Sequence, residues 1–157
     1  MISRLDLIKE KFSSKLLDAN TSDCDVIKVS KDYFFDVCKT LKENNDLSFE
    51  MLTSITCVDY LGEEERFELV YHLYSLHCNH RLRIKVRVKE GDEKIISLCS
   101  LYKSANWFER EVYDMFGIKF LEHPDLRRLL LYEEFVGYPL RKDYPLKKEQ
   151  PIVKYIK

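Results

Sequence analysis

The most regular pattern in the chain is the alternation of apolar and basic residues in RLRIKVRVK, residues 81–89. Successive side chains of a strand point to opposite faces, so this period of two predicts a strand with one buried face. The buried face would carry Leu82, Ile84, Val86 and Val88, and the exposed face Arg81, Arg83, Lys85, Arg87 and Lys89. The apolar segment RFELVYHLYSLH ends at His77, and only Cys78 and Asn79 separate it from His80. The two segments together predict a β-hairpin.

Two segments in the first third of the chain repeat apolar residues at intervals of three and four, which predicts amphipathic helices. The first, SRLDLIKEKFSSKLLDAN, is expected to start at Ser3, and its apolar face comprises Leu5, Ile8, Phe12 and Leu16. The second is expected to open at Ser30, and its apolar face comprises Phe34, Val37, Cys38 and Leu41. Serine is a suitable residue at both starts because its hydroxyl accepts a hydrogen bond from a free helix N–H group.

A third helix is predicted over residues 104–116, in the sequence SANWFEREVYDMF. Ser104 is a suitable N-cap, and Gly117 is a frequent helix terminator. The apolar face of this helix comprises Phe108, Val112, Met115 and Phe116. Arg110 and Asp114 lie four positions apart, so we expect an ion pair between them on the helix surface.

Three further apolar runs, CDVIKVS, LSFEMLTSITCVDYL and KIISLCSLY, are rich in β-branched and aromatic residues and predict strands. The order is helix, strand, helix, several antiparallel strands and helix, which indicates an α+β fold with a mostly antiparallel sheet. All four prolines fall within the last 34 residues, which predicts an extended, irregular C-terminal tail. We therefore expect one domain over residues 1–157, with a core over 1–125 and a docking tail over 126–157.

The composition disfavours several classes of function. A net charge of −1 over 157 residues is unlike that of a generic nucleic-acid binder, which is usually basic. The five cysteines lie far apart and form no CxxC, so we expect no iron–sulfur cluster, zinc ribbon or disulfide framework. The four isolated glycines form no dinucleotide or phosphate loop. No apolar run suggests a signal peptide or a membrane span, so we expect a soluble intracellular protein.

The segment from Glu109 to Leu130 combines dense charge with large apolar side chains. One interpretation is a hydrolase or carboxylate metal site formed by Glu111, Asp114, His123 and Asp125. A similar number of cations lies in the same part of the sequence: Arg110, Arg127, Arg128, Arg141 and Lys142. Because arginine forks match carboxylates, we favour a charge network, within the chain or across an interface, over catalysis.

Two further candidate sites lie on the predicted hairpin. Its turn is surrounded by His72, His77, Cys78 and His80, but no second Cys/His pair completes a tetrahedral zinc set. The basic face of the second strand is a candidate for binding nucleic acid or an acidic partner. We favour a solvated sheet face, whose cations pair with nearby acids: Glu63, Glu64, Glu65 or Glu68.

Three sequence blocks carry a family resemblance. NWFEREVYDMFGIKF, HPDLRRLL and GYPLRKDYPL lie in this order between Asn106 and Leu146. Together they resemble the signature of the C subunit of the proton-pumping NADH–quinone oxidoreductase, respiratory complex I. YHLYSL, followed by the basic strand, is more loosely similar to the central region of that family. The signature residues, as they occur here, are Glu109, Arg110, Glu111, Asp114, His123, Pro124, Arg127, Arg128, Leu140, Arg141, Lys142, Asp143, Tyr144 and Pro145.

The resemblance implies a structural subunit without catalytic or metal-binding residues of its own. FMN, the iron–sulfur clusters and the quinone site would belong to partner subunits. The chain would pack against the D subunit in the peripheral arm, near the electron path to quinone, on the cytoplasmic side of the bacterial inner membrane. Related subunits of F420H2-oxidising and hydrogenase-type membrane complexes resemble it as well. The segment from Glu109 to Leu130 would then pack on its own core on one side and on a partner on the other. Such a position explains why it is dense in both charged and apolar side chains.

Overall fold

The structure is a computed structural model that describes residues 4–21 and 23–152. Its elements in chain order are α1 Arg4–Phe12, β1 Leu16–Thr21, β2 Asp25–Val29, α2 Phe34–Glu43, β3 Met51–Asp59, β4 Phe67–Ser75, β5 His80–Val88, β6 Lys94–Ile96, α3 Ala105–Phe116 and β7 Lys119–Leu121. The predicted α+β class is confirmed. None of the helices within the described ranges has the length and apolar character needed to cross a membrane.

The main sheet has five strands in the order β1-β2-β5-β4-β3. All neighbouring pairs are antiparallel except β2 and β5, which run parallel. The predicted hairpin is confirmed, because β4 and β5 pair from Phe67 opposite Val88 to Ser75 opposite His80. A second, two-stranded sheet joins β6 and β7 in parallel and lies beside α3.

One apolar core contains the inner face of the sheet together with residues of all three helices, such as Ile8, Leu41 and Val112. The alternation along β5 is confirmed, since its four apolar residues are each at most 1% exposed. Its cations lie on the other face. There the buried Glu68 accepts hydrogen bonds from Lys85 at 3.0 Å and from Arg87 at 3.2 Å.

Most other contacts of this basic face also join cations to acids, whereas Arg81 lies over the Tyr74 ring, 5.6 Å from its centre. Arg87 reaches Glu63 at 2.5 Å, and Lys89 reaches Glu64 at 2.5 Å. The favoured interpretation of a charge-paired sheet face is therefore confirmed. Water screens exposed pairs of this kind and they stabilise a fold only weakly, so their main effect is to neutralise the basic strand.

The first predicted helix is too long. It ends at Phe12, and Leu16 belongs to β1, where it pairs with Val29 of β2. The apolar spacing fits a helix up to Leu16, but pairing with β2 provides hydrogen bonds and a core position that the spacing alone cannot reveal. The expected cap Ser3 lies outside the described residues. The second helix starts at Phe34, because Ser30 opens a turn in which its carbonyl oxygen accepts the N–H of Tyr33.

Two local predictions around α3 are also corrected. Ser104 is the residue before the helix, but its hydroxyl donates to the Leu52 carbonyl at 2.9 Å and makes no cap bond. The strand predicted in KIISLCSLY contains only Lys94–Ile96, because the chain turns at Ser97, whose hydroxyl donates to the Glu109 carboxylate of α3. The end of the helix is as predicted, since Gly117 has the left-handed φ of 78°.

The segment 126–152 contains no helix or strand in the described part of the chain, as expected for the tail. It first runs beside α3, and it then crosses the C-terminal end of that helix. Gly117 marks the crossing, because a Cβ atom there would lie 2.5 Å from the ring of Tyr138. The segment therefore lies on its own domain, and its docking on another subunit remains a prediction.

Candidate functional site

The last turn of α3 carries a buried carboxylate that organises the chain after it. One oxygen of Asp114 accepts three backbone N–H groups, from Leu129 at 3.0 Å, Leu130 at 2.8 Å and Leu131 at 2.9 Å. Its other oxygen accepts the guanidinium of Arg128 at 2.7 Å. We call this group of residues the Asp114 hub. Because every described contact of the carboxylate is a hydrogen-bond donor, the hub fixes the backbone of the following segment.

The electrostatics of the Asp114 hub favour a permanently charged carboxylate. Burial by itself raises the pKa of Asp114, but the N–H groups of Leu131 and Leu130 and the guanidinium of Arg128 lower it further than burial raises it. The net pKa is below its ordinary value. Asp114 is therefore ionised and fully engaged at neutral pH, which suits an anchor and leaves no lone pair directed at a substrate.

The predicted ion pair between Arg110 and Asp114 is wrong. Arg110 donates instead to the carbonyl oxygens of Arg127 and Arg128, both at 3.1 Å, and its guanidinium lies 5.2 Å from the Trp107 ring. The reason is that the tail contributes better partners to Asp114 than a neighbour on the same helix surface can. The expected charge network exists, but it joins the helix to the tail.

The four residues considered as a hydrolase or metal site do not converge. Glu111 is exposed, whereas Asp114 is buried under the tail. His123 donates from Nε2 to the Asn106 carbonyl at 3.2 Å and accepts the backbone N–H of Asp125 at Nδ1, at 3.0 Å. The Asp125 carboxylate forms a forked pair with Arg127, with both distances at 2.6 Å. Each group already has a structural partner or faces solvent, so the arrangement offers no acid–base pair.

A second charged cluster joins the tail to the sheet. The guanidinium of Arg66 is fully buried and donates to both oxygens of Asp59, each at 2.8 Å. It also reaches Asp143 of the tail at 2.6 Å and Glu90 at 2.5 Å, and Asp59 accepts the backbone N–H of Lys142 at 2.8 Å. We call these residues the Arg66 hub. Hydrogen bonds from Arg66 lower the pKa of both aspartates.

Nothing in the sequence singled out Arg66 and Asp59 as site residues. In the sequence, Arg66 ends the run EEER and is indistinguishable from a solvated turn residue. Arg66 does lie directly before an apolar strand, but this position is weak evidence for a functional role, because strands often begin with a charged residue. Its burial depends on Asp143, which lies 77 positions further along the chain.

The other signature residues of the tail are placed between these two hubs. Leu140 donates its N–H to the Met115 carbonyl at 3.2 Å. Arg141 donates to the Phe116 carbonyl at 2.5 Å, and its guanidinium lies 4.8 Å from the Phe67 ring and 4.9 Å from the Tyr138 ring. Further along, Tyr144 stacks on Phe135 with 6.1 Å between ring centres, while Pro124 and Pro145 are exposed.

Another buried carboxylate, Glu109, lies on the opposite side of α3. It is fully buried, and its oxygens accept the Ser97 hydroxyl at 2.6 Å and the Leu98 N–H at 2.7 Å. Burial raises its pKa to about 7. Ligand atoms of Cys99, Glu109 and His123 lie within 4.8 Å of one another. Both ring nitrogens of His123 are engaged, so a cation bound by this ring would have to displace one of its two hydrogen bonds.

The raised pKa of Glu109 leads to a pH prediction. Between its ordinary value of 4.5 and about 7, the unfolded chain releases this proton while the folded chain retains it. Stability should therefore fall as pH rises through this window, by about 3 kcal/mol in total. Glu109→Gln keeps the shape and cannot ionise, so we expect it to remove most of this loss. Urea unfolding of both proteins between pH 5 and pH 8 tests this, and parallel pH profiles would contradict it.

The histidines of the hairpin do not form a common site. His72 bonds to the Ser54 hydroxyl at 2.8 Å and accepts Arg83 Nε at 3.0 Å. His80 lies 3.0 Å from Asp25, on a different strand pair. The pKa of His72 is lowered by burial and by the charge of Arg83, which favours its neutral form. The rings of His72 and His80 therefore act as ordinary hydrogen-bond partners at this end of the sheet.

The fold and the three carboxylate centres together define an α+β scaffold whose charged residues hold a C-terminal segment against the sheet. Comparison with known sequences agrees with the resemblance carried by the three sequence blocks. The family described as respiratory-chain NADH dehydrogenase, 30 kDa subunit, matches residues 27–150. The chain belongs to this family.

Similar proteins extend over most of the chain. A relative from Geotalea uraniireducens (strain Rf4), named as the C subunit of NADH-quinone oxidoreductase, is 46% identical over 137 residues, which are 87% of this chain and 82% of that protein. Among solved structures, a trypsin-resistant fragment (1–134) of Nqo5 is 31% identical with a TM-score of 0.64, and the match covers 76% of this chain and 96% of the fragment.

A second solved structure shares the fold. It is a chain of the membrane-bound sulfane sulfur reductase, MBS, described as an archaeal respiratory membrane complex. The match has a TM-score of 0.76 at 24% identity and covers 96% of this chain and 95% of that chain. The α+β architecture is therefore common to both comparisons.

Proposed function

We propose that this chain is a non-catalytic structural subunit in the peripheral arm of an NADH–quinone oxidoreductase of the complex I type. The observation that carries the proposal is the 46% identity to a C subunit of that enzyme over 87% of the chain. The geometry supports it, because the charged signature residues Asp114, Arg128 and Arg141 bind parts of their own chain. Residues used in this way build a shape that other subunits can recognise.

The partner in this proposal is the D subunit, near the electron path to quinone. The tail supports a docking role, because several of its large apolar side chains point into solvent although the segment is tied to the domain. These side chains are Leu130, Val136, Leu140, Leu146 and Ile152. Apolar surface presented on an ordered backbone loses little entropy on binding.

The proposal includes no cofactor for this chain. FMN, iron–sulfur clusters and quinone would be bound by partner subunits. The support is chemical: burial raises the pKa of Cys38 and Cys57, and both remain neutral thiols rather than metal-binding thiolates. We expect purified protein to be colourless and to contain less than one tenth of an equivalent of iron or zinc after dialysis. Stoichiometric metal in an elemental analysis would contradict this part.

The location that follows is the cytoplasmic face of the bacterial inner membrane, with attachment through the other subunits. A related F420H2-oxidising or hydrogenase-type membrane complex is the second candidate, because the same fold occurs in MBS. The two candidates differ in the proteins that deliver electrons. NADH–quinone oxidoreductase needs an FMN-containing subunit that binds NADH, and the alternatives need other input subunits.

The test is purification of the native complex through an affinity tag on this chain, followed by identification of the proteins that accompany it. We expect the D subunit, iron–sulfur subunits and NADH–quinone reductase activity in the same fraction. A tagged unrelated cytoplasmic protein is the control. Recovery of the chain alone, or with proteins that are not oxidoreductase subunits, would contradict the proposed function.

A further inference from the structure

A row of polar side chains crosses the basic face of the main sheet. Ser54 of β3 lies opposite His72 of β4, and His72 lies opposite Arg83 of β5. The ring of His72 bonds to the Ser54 hydroxyl at 2.8 Å and to Arg83 Nε at 3.0 Å, and Arg83 Nη2 reaches Asp23 at 3.1 Å. We call these four residues the His72 row. They line a cavity of about 270 Å³.

The hydrogen bonds of the His72 row fix the tautomer of the ring. A guanidinium carries only donors, so Nε2 of His72 accepts the Nε–H of Arg83 through its lone pair. A neutral imidazole has a single N–H group, which is therefore on Nδ1 and donates to the Ser54 hydroxyl oxygen. A second proton could bind only at Nε2, where the N–H of Arg83 already points. The row in this form thus requires an uncharged ring.

The charges that face the ring come from β5 and from the turn before β2. Arg83 contacts the ring directly, and Asp23 lies behind Arg83. On the β3 side the contacts are hydroxyl groups, since Thr53 donates to the His72 carbonyl oxygen at 3.0 Å. Burial and the charge of Arg83 lower the pKa of His72 by more than Asp23 raises it. The net pKa of His72 is below its ordinary value of 6.5.

Other titratable and charged residues surround the row. They are Cys24, Asp25, Tyr74, Arg81 and Lys85. The two cations are held on other partners, because Arg81 lies 5.6 Å from the centre of the Tyr74 ring and Lys85 donates to Glu68 at 3.0 Å. Among the described residues that line the cavity, Asp23 is the one carboxylate.

We propose that the His72 row is an acid-sensitive switch that ties the turn before β2 to the sheet. In the neutral state Arg83 bridges the ring of His72 and the carboxylate of Asp23. A proton on Nε2 places two donors of like charge 3.0 Å apart, so Arg83 must leave the ring. The charged Nε2–H then needs an acceptor, and Asp23 is the carboxylate in the same cavity. The row therefore has two alternative sets of partners, and one proton selects between them.

The switch belongs to this chain alone, so it goes beyond the proposed function and does not rest on it. NMR spectra of the isotope-labelled full chain between pH 5 and pH 8 test it. At pH 8 we expect His72 as the Nδ1–H tautomer. Its titration midpoint should lie below 6.5, and the resonances of Arg83 Nε and of the Asp23 backbone should shift with that same midpoint. An Nε2–H tautomer at pH 8, or Arg83 and Asp23 resonances that do not follow His72, would overturn the inference.

Two variants should move the midpoint of His72 in opposite directions. Arg83→Met removes the opposed donor, so the midpoint should rise. Asp23→Asn removes the acceptor of the charged ring, so the midpoint should fall. The Asp23 side chain is 70% exposed, so this variant should fold normally and keeps the test decisive if Arg83→Met does not fold.

His80→Gln is the matched control, because His80 lies near the same end of the sheet but bonds to Asp25, at 3.0 Å. This variant should leave the His72 midpoint unchanged. A His72 midpoint that Asp23→Asn does not lower, or that His80→Gln moves as far as Asp23→Asn does, would overturn the inference.

Discussion

Truncation after Leu130 is expected to lower the melting temperature of the isolated protein by roughly 10 °C or more. The truncation removes the N–H of Leu131 from Asp114, and it removes Asp143 from the Arg66 hub. The buried guanidinium of Arg66 then keeps Asp59 but loses its forked partner from the tail. Losing this charged partner costs about 1.5–3 kcal/mol, because Asp59 and Glu90 still pair with Arg66. The loss of Tyr138 and Arg141 from the end of α3 adds to it.

The measurement is thermal unfolding followed by circular dichroism, with truncation after Ile152 as the control. The control keeps every tail contact of the described chain, so the difference between the two truncations reports the contacts made by residues 131–152. The sequence allowed two outcomes, a tail that serves only docking and a tail that folds back on its domain. If the chain truncated after Leu130 has the same melting temperature as the control but no longer assembles into the complex, the tail serves docking alone.

Asp114→Asn is expected to destabilise the protein by about 3 kcal/mol or more at neutral pH. An asparagine oxygen can still accept backbone N–H groups, but the amide nitrogen would then point its hydrogens at the guanidinium of Arg128. That contact replaces a 2.7 Å charged hydrogen bond by two opposed donors. Because the pKa of Asp114 is below its ordinary 3.8, the wild-type advantage should be complete above pH 4 and should shrink as pH falls further.

Asp125→Asn is the matched control for this substitution. Asp125 also pairs with an arginine, at 2.6 Å, but the pair is exposed and lies outside the Asp114 hub. Water screens an exposed pair, so the control should shift the urea midpoint only slightly. Equal shifts for the two variants would show that Asp114 is an ordinary surface charge rather than an anchor.

The prediction of strands and helices succeeded where one local period dominates. The alternation along β5 required only that one face be buried, and the spacing of Phe34, Val37, Cys38 and Leu41 required only a core below α2. It failed at Leu16 and after Ile96. In both places a distant partner, β2 in the first case and Glu109 in the second, sets the backbone path. Local spacing contains no information about such partners.

The sequence drew attention to some of the charged residues in the two hubs but not to their contacts. The sequence correctly indicated that the charges of α3 and the tail form a network. It paired Arg110 with Asp114, whereas the fold gives Asp114 to Arg128 and to the backbone of the tail. It also left Arg66 unnoticed. The physical reason is that a carboxylate surrounded by several donors is more stable than one with a single exposed neighbour on its helix.

The sequence by itself determined the α+β class, the hairpin, the third helix with its glycine end, and, through three blocks of residues, the family. These features depend on side-chain periodicity, on backbone freedom at Gly117 and on short motifs, all of which are local. Only the tertiary structure decided that the tail lies on its own domain and that Asp114 and Arg66 hold it. It also decided that Trp107 and Leu130 remain exposed. Buried charges must find partners wherever the chain can bring them, and those partners lie up to 83 positions away.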